Sequence, residues 1–196
     1  MLEETNVIAT IGRAALAAAV VVAAAQAARA AEPFMLTSAS FKDGTMLAAR
    51  NAGNNKANPN CVGENVSPPF AWSNPPAGTQ SYALIMVDPE GRNGLGVIHW
   101  VAYGIPASVT GFSEGETGKP SEKYVGGKGT AGQGIYMGPC TPPGTDVHHY
   151  TFTLIATDLD PKALPAGLTR DELFAKLDGH VKGPAGLIGL FKHPGN

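Results

Sequence analysis

Short apolar runs alternate with Gly- and Pro-rich segments along most of the chain. The clearest runs are SYALIMVD at 81–88, GVIHWVAYGI at 96–105 and HYTFTLIATD at 149–158. Runs of this length between turn residues are typical of strands in an all-β sandwich or barrel. The first two are apolar at successive positions, so we expect central strands covered on both faces. Weaker patterns predict an extended, Pro-broken segment at 67–78 and a last edge strand at 186–192.

A helical pattern replaces the strand pattern near residue 170. Thr169 and Glu172 have the spacing of a capping box, and Gly179 is placed to end the helix. The apolar stripe of this helix consists of Leu173, Phe174 and Leu177. We expect the helix to cover part of the sandwich. Because no internal repeat or low-complexity linker occurs, residues 31–196 predict one mainly β domain with one or two short helices.

The first 30 residues have the features of a signal peptide. Residues 14–25, AALAAAVVVAAA, form an apolar run that is shorter than the roughly 18 residues of a spanning helix but within signal-peptide range. An Ala-x-Ala site ends at Ala30, which predicts a mature chain from Ala31, with no transmembrane span and a periplasmic or secreted location. Since the first residues are acidic rather than basic, we expect translation to begin further in, near Val7. An N-terminal helix packed on the domain is the alternative.

Composition limits the classes of partner. The 196 residues carry a formal net charge of -2 and lack any basic run interleaved with aromatics, so we expect no nucleic-acid partner. Cys61 and Cys140 both lie in the part predicted to be exported, where one disulfide can form; two free, buried thiols are the alternative. Gly127, Gly129 and Gly132 satisfy the dinucleotide-binding pattern G-x-G-x-x-G. No apolar strand leads into them and no helix follows, so we reject a dinucleotide cofactor.

Polar residues cluster where the predicted strands begin and end. The loop GPCTPPGTDVHHY at 138–150 is given a defined shape by Gly and Pro, and it leads into the third strand. Because side chains alternate, His148 and Tyr150 share one face of that strand while His149 points the other way. With residues of the other two strands, the candidate set is Asp88, Glu90, His99, His148 and Tyr150. Imidazole, phenol and loop N–H groups suit phosphate oxygens and carboxylates suit an ammonium, so we predict a site for a phosphate-bearing zwitterion.

Other interpretations of these residues stay open. Two histidines and two acids can hold a divalent metal, and an open position on that metal would make a hydrolase. Asp88 can simply end its strand in a turn, and His99 can be a hydrogen-bonded core residue. Cys140 and His148 can in principle form a nucleophile and base, although no known catalytic signature surrounds them.

Three ordered motifs resemble a known family. SPPFAWSNPPAGTQSYALIMVDPE at 67–90, HWVAYGIP at 99–106 and the loop at 138–150 resemble the phosphatidylethanolamine-binding protein (PEBP) family, and most nearly its bacterial Raf-kinase-inhibitor-like branch. The resemblance spans about residues 34–192. It implies a Greek-key β-sandwich with few helices and a small pocket for phosphate-bearing ligands or phospholipid head groups, such as phosphoethanolamine. It also implies no catalysis, no cofactor and no metal.

The resemblance assigns residues to this pocket. They are Asp88, Glu90, His99, Gly138, Pro139, His148 and Tyr150. The motif departs from the family's usual DPD at Glu90, and GRNGLG follows it where the family has Ala-Pro, so the selectivity for head groups stays open. We expect protonated His99 and His148 to favour anions at mildly acidic pH. A kinase- or protease-inhibiting interaction module is the second hypothesis, and it would bind its partner even after His148→Ala.

Overall fold

The computed structural model describes residues 32–195. The predicted signal segment, 1–30, lies outside these residues and stays a prediction. Within residues 32–195 the strands are β1 (Met35–Thr37), β2 (Thr45–Met46), β3 (Phe70–Ser73), β4 (Ser81–Asp88), β5 (Val97–Pro106), β6 (Gly111–Phe112), β7 (Val125–Gly126), β8 (His148–Thr157) and β9 (Val181–Phe191). Helical segments are the 3-10 turns Ala49–Asn51 and Glu116–Gly118 and helix α1 (Arg170–Leu177). Gly91–Gly94 forms a single turn whose two central residues have left-handed backbone angles. In the described part of the chain, no helix has the length and apolar character needed to span a membrane.

The strands form two sheets. The larger has the order β2-β9-β8-β4-β5-β7, and the smaller has the order β1-β3-β6. The runs predicted at 81–88, 96–105 and 149–158 are the three neighbouring strands β4, β5 and β8. They pair antiparallel, with β4 between β5 and β8. The prediction of a mainly β fold with few short helices is therefore confirmed.

The central strands are covered on both faces, as their apolar pattern predicts. Leu84 of β4 lies in the core between the two sheets, whereas its neighbour Ile85 lies in a second apolar cluster on the opposite face. Phe70 of the smaller sheet packs on Trp100 and Phe152 of the larger, with ring centroids 6.5 and 4.9 Å apart. Each large side chain buried in this way stabilises the fold by roughly 1.5–3 kcal/mol.

Helix α1 covers the outer face of the larger sheet. Its capping box is present: the Thr169 hydroxyl accepts from the Glu172 N–H, and the Glu172 carboxylate accepts from the Thr169 N–H. Leu173 and Leu177 pack into the outer cluster. Phe174 is 44% exposed and does not belong to the buried stripe, because it follows Leu173 by about 100° around the helix.

Two finer expectations are corrected. Strand β9 covers Val181–Phe191 rather than 186–192, and it is not the edge strand because β2 pairs with it in parallel. Its first half contains Gly183 and Pro184, which hid the strand pattern from sequence reasoning. Both sheets are open, and their strand order does not define the expected Greek key.

Candidate functional site

An acid and a histidine meet at one edge of the larger sheet. Asp88 is the last residue of β4 and His148 is the first of β8, and antiparallel pairing brings these two ends together. The Asp88 Oδ2 and His148 Nδ1 atoms are 2.8 Å apart, and both side chains are buried. The other carboxylate oxygen of Asp88 accepts from the Gly91 N–H at 2.9 Å. Asp88 therefore orients His148 as well as ending its strand in a turn.

His99 lies beside this pair, inside β5. Its Nδ1 is 2.9 Å from the Met137 carbonyl oxygen. Because a carbonyl can only accept, Nδ1 carries the proton of the neutral imidazole and Nε2 is left as an acceptor. Burial lowers the pKa of His99 below its usual value, and the nearby Met137 carbonyl and Asp88 only partly oppose this. His99 is therefore neutral at pH 7, and our expectation that it adds positive charge at mildly acidic pH is weakened.

Glu90 is held from outside the cavity. His149 is exposed, as the alternation predicts, but its Nδ1 lies 2.8 Å from Glu90 Oε1 and its backbone N–H donates to Oε2 at 3.1 Å. Partial burial raises the pKa of Glu90, but several hydrogen bonds, led by those from His149, together lower it by more, so the net shift is downward. Glu90 is therefore ionised at neutral pH and already has hydrogen-bond donors.

Three predicted residues lie behind the cavity rather than in its lining. Tyr150 is fully buried, its ring contacts His99 edge-on at 5.1 Å, and its hydroxyl lies 2.8 Å from the Thr141 hydroxyl. Burial raises the pKa of Tyr150 far above its usual value. The Gly138 N–H and the Pro139 carbonyl form hydrogen bonds within the loop packing, to Asn65 and Gly53. The structure therefore gives Tyr150, Gly138 and Pro139 supporting positions.

A cavity of about 520 Å³ opens beside the Asp88–His148 pair. Its lining includes four of the predicted residues, Asp88, Glu90, His99 and His148. It also includes Arg92 and Gln133, which sequence reasoning missed. A volume of this size suits a small organic ligand and exceeds what a phosphate ion alone would fill.

Arg92 occupies an unusual turn after β4. Arg92 and its neighbour Asn93 have φ values of 53° and 58°, in the left-handed region that costs L-residues roughly 1–2 kcal/mol each. Arg92 is exposed, and among residues 32–195 its guanidinium has no ion-pair or hydrogen-bond partner. The departure GRNGLG was the only sequence signal for this cation at the cavity.

A disulfide joins two walls of the cavity. Cys61 and Cys140 are bonded, and both line the cavity. Gly53 packs so closely on these sulfur atoms that a side chain there would collide with Cys140. The bond therefore connects the asparagine-rich segment before Cys61 with the loop at 138–150.

The donor atoms of Asp88, Glu90 and His148 lie within 4.8 Å of one another. The three residues are thus close enough together to ligate one divalent cation after small side-chain adjustments. The hydrolase hypothesis therefore keeps a geometric basis in these three residues.

Fold and cavity together define a mainly β protein that binds a small ligand. Residues 37–192 match the family model described as phosphatidylethanolamine-binding protein, and the chain belongs to this family. It is 39% identical over 136 residues to a UPF0098 protein of Methanothermobacter thermautotrophicus, covering 67% of this chain and 86% of that one. It is 34% identical over 165 residues to a Mycobacterium tuberculosis protein named "Putative lipoprotein LppC", covering 84% and 75% of the two chains.

A solved structure agrees with this assignment. The crystal structure of Escherichia coli YbcL, described as a new member of the mammalian PEBP family, superposes with a TM-score of 0.72 at 27% identity. The match covers 82% of this chain and 99% of YbcL. The resemblance found in the three sequence motifs is therefore confirmed at the level of the family.

Proposed function

We propose that the chain is an exported, non-catalytic protein that binds a phosphate-bearing molecule, such as a phosphoethanolamine head group, in the cavity beside Asp88 and His148. The observation that carries the proposal is the Arg92 guanidinium, a cation that has no partner among residues 32–195 and lines a cavity that also contains His148. A guanidinium is well suited to phosphate because its planar N–H groups can contact two oxygens at once.

The charges of the cavity predict how phosphate binding depends on pH. The charged lining residues are Asp88, Glu90 and Arg92, two acids against one base. With neutral imidazoles the lining is therefore net negative, which opposes an anion. A protonated His148 would hold Asp88 through Nδ1 and offer its Nε2 proton to the phosphate. Binding should accordingly be coupled to the uptake of a proton, and so strengthen on acidification.

Calorimetric titration with phosphoethanolamine in EDTA tests the proposal. We expect His148→Ala to weaken binding by about 10- to 100-fold, because a charge-assisted hydrogen bond is worth roughly 1.5–3 kcal/mol. The matched control is His180→Ala, which breaks an exposed His–Asp pair outside the cavity lining. Equal affinity in His148→Ala and wild type, or affinity independent of pH, would contradict this use of His148.

A second candidate is a divalent-metal site formed by Asp88, Glu90 and His148, as their donor spacing favours. In that case protein purified without chelator should retain stoichiometric metal after dialysis, and His148→Ala should lose it. Hydrolysis of a phosphate ester that depends on this metal would then replace simple binding as the function. Phosphoethanolamine binding that persists in EDTA would contradict the metal requirement.

We also propose that the chain is exported to the periplasm or secreted. The apolar run at 14–25, the Ala-x-Ala site and the disulfide each support export. The name of the mycobacterial relative describes a lipoprotein, which is a protein of the cell envelope. N-terminal sequencing of the mature protein should start at Ala31, and an uncleaved chain recovered from the cytosol would contradict export.

A further inference from the structure

Part of the cavity is lined by aliphatic side chains that phosphate binding does not use. Val97, Ile135 and Met137 line the cavity, and each is partly exposed, so a ligand can touch it. We call these three side chains the apolar wall. An organic group placed against such a surface removes apolar area from water, which favours binding. The apolar wall is therefore a candidate site for the part of the ligand beyond the phosphate.

The apolar wall lies next to the two histidines of the cavity. Val97 is the strand partner of Asp88, whose carboxylate holds His148. Met137 is adjacent to His99: its N–H donates to the His99 carbonyl at 3.2 Å, and its carbonyl accepts from the His99 ring at 2.9 Å. A phosphate ester bound at His148 would therefore carry its alcohol beside the apolar wall.

The carboxylates of the cavity are poorly placed to bind an ammonium on that alcohol. Asp88 and Glu90 already accept hydrogen bonds from Gly91 and His149, and Asp88 also contacts His148. An ammonium held against aliphatic carbon would lose its water without gaining an acceptor, which is unfavourable. An alkyl group has no such cost, so it fits this part of the cavity better than an ammonium does.

The asparagine-rich segment gives another part of the lining a different character. The side-chain oxygens of Asn55 and Asn58 accept from the N–H groups of Ala57 and Asn60 at 3.0 and 3.1 Å. Because these oxygens are used within the segment itself, the amide N–H groups of Asn55 and Asn58 are the groups left to a ligand. Such donors suit the oxygens of a phosphate rather than an ammonium or an alkyl chain. The lining thus combines donors for a phosphate with an apolar wall for its alcohol.

We propose that the cavity selects phosphate monoesters of aliphatic alcohols, and that the apolar wall binds the alkyl chain next to the phosphate. This inference rests on the proposed function and names the alcohol part of the ligand, for which an alkyl group is preferred to ethanolamine. The shared chemistry occurs in soluble alkyl phosphates and in the phosphatidic acid of membranes. A cavity of about 520 Å³ has room for a phosphate and a short chain.

Calorimetric titration in EDTA with inorganic phosphate and with methyl, propyl and pentyl phosphate tests this inference. A methylene that becomes fully buried improves affinity about fourfold. Because the wall covers one side of the chain, we expect about twofold for each methylene, so each step from methyl to propyl to pentyl should gain about fourfold. In phosphoethanolamine an ammonium replaces the last methyl group of propyl phosphate. It should bind at least about fourfold more weakly than propyl phosphate.

The variant Val97→Thr/Met137→Gln makes the apolar wall polar with little change in shape. Both hydrogen bonds between Met137 and His99 use the Met137 backbone, so the variant keeps them. It should bind pentyl phosphate no more than about fourfold more tightly than methyl phosphate. The matched control Met46→Gln/Val181→Thr makes the same two changes at exposed positions outside the cavity lining, and it should keep the full gain. A thermal melt checks folding, and the wild-type series tests the inference even if the variant does not fold.

The outcomes distinguish the two proposals. Binding of inorganic phosphate with equal affinities for the three alkyl esters would overturn the role of the apolar wall and leave the anion site standing. A gain with chain length that persists unchanged in the wall variant would overturn it as well. Tighter binding of phosphoethanolamine than of propyl phosphate would also overturn it and assign selectivity to Glu90. Failure of every phosphate compound to bind would overturn both proposals.

Vesicles distinguish the two sources of the ligand. Binding to phosphatidylcholine vesicles that contain phosphatidic acid, but not to pure phosphatidylcholine vesicles or by the wall variant, would support a lipid source. Wall-dependent binding of the alkyl esters without binding to either kind of vesicle would support a soluble source.

Discussion

Replacing the disulfide by Cys61→Ser/Cys140→Ser should lower the free energy of unfolding by about 4.5 kcal/mol. The two cysteines are 79 residues apart, so the bond closes a long loop in the unfolded chain. For a loop of about 80 residues the chain-entropy relation gives an entropy loss near 15 cal/mol/K, which is about 4.5 kcal/mol at 25 °C. Serine differs from cysteine by one smaller atom, and no side chain at Gly53 competes with it for space. The expected loss therefore comes from the unfolded state.

Guanidinium unfolding of the chain from Ala31, with and without a phosphine reductant, measures this loss. A thermal melt provides a second measure of the same loss. For a domain of this size each kcal/mol of stability corresponds to roughly 2–4 °C, so the melting temperature should fall by about 10–15 °C. The reduced wild type should match the double serine variant, and reductant should leave the variant unchanged. A loss below about 1 kcal/mol, or a wild type whose stability is the same with and without reductant, would refute this reasoning.

Two further predictions concern the folded domain. Burial lowers the pKa of His99, so the unfolded chain takes up a proton at a higher pH than the folded one does. The free energy of unfolding should therefore fall as the pH drops below about 6.5, the reference pKa of histidine. His99→Asn should reduce the difference in unfolding free energy between urea titrations at about pH 7.5 and about pH 5.5. An unchanged difference in the variant would exclude His99 as the source of the pH dependence. Thr169→Ala removes the cap of α1 and should cost about 1 kcal/mol in chemical unfolding. Thr110→Ala, at an exposed hydroxyl that forms no hydrogen bond within the described part of the chain, should cost almost nothing, and equal costs would contradict the cap.

The strands that carry the site could be predicted because their pattern is local. The run at 81–88 is strand β4 with unchanged bounds, since turn residues limit it on both sides. The alternation from His148 onward placed His148 and Tyr150 inside and His149 outside, and the structure has them so. Antiparallel pairing of β4 with β8 then brings Asp88 next to His148. The resemblance to the PEBP family had assigned both residues to one pocket.

Depth and hydrogen-bond partners could not be predicted from the same pattern. Alternation predicts which face of β8 Tyr150 occupies, but it does not predict that the Tyr150 hydroxyl forms a hydrogen bond with Thr141 behind the cavity. Arg92 was missed because a left-handed turn at two non-glycine residues has no reliable sequence signal. Gln133 was missed because its position in the cavity lining depends on the path of a glycine-rich segment along β5, and this contact is distant in sequence.

The Asp88–His148 contact also links the ends of strands β4 and β8. It lies just beyond the last paired residues of β4 and β8, Val87 and Thr151. An anion that binds Nε2 of a His148 still held by Asp88 must strengthen this link, and any fraying of the two strands must weaken binding of the anion. Thermodynamic reciprocity requires these effects to be equal. Occupancy of the cavity can thus be followed in amide-proton exchange at the end of the sheet, without a probe in the cavity itself.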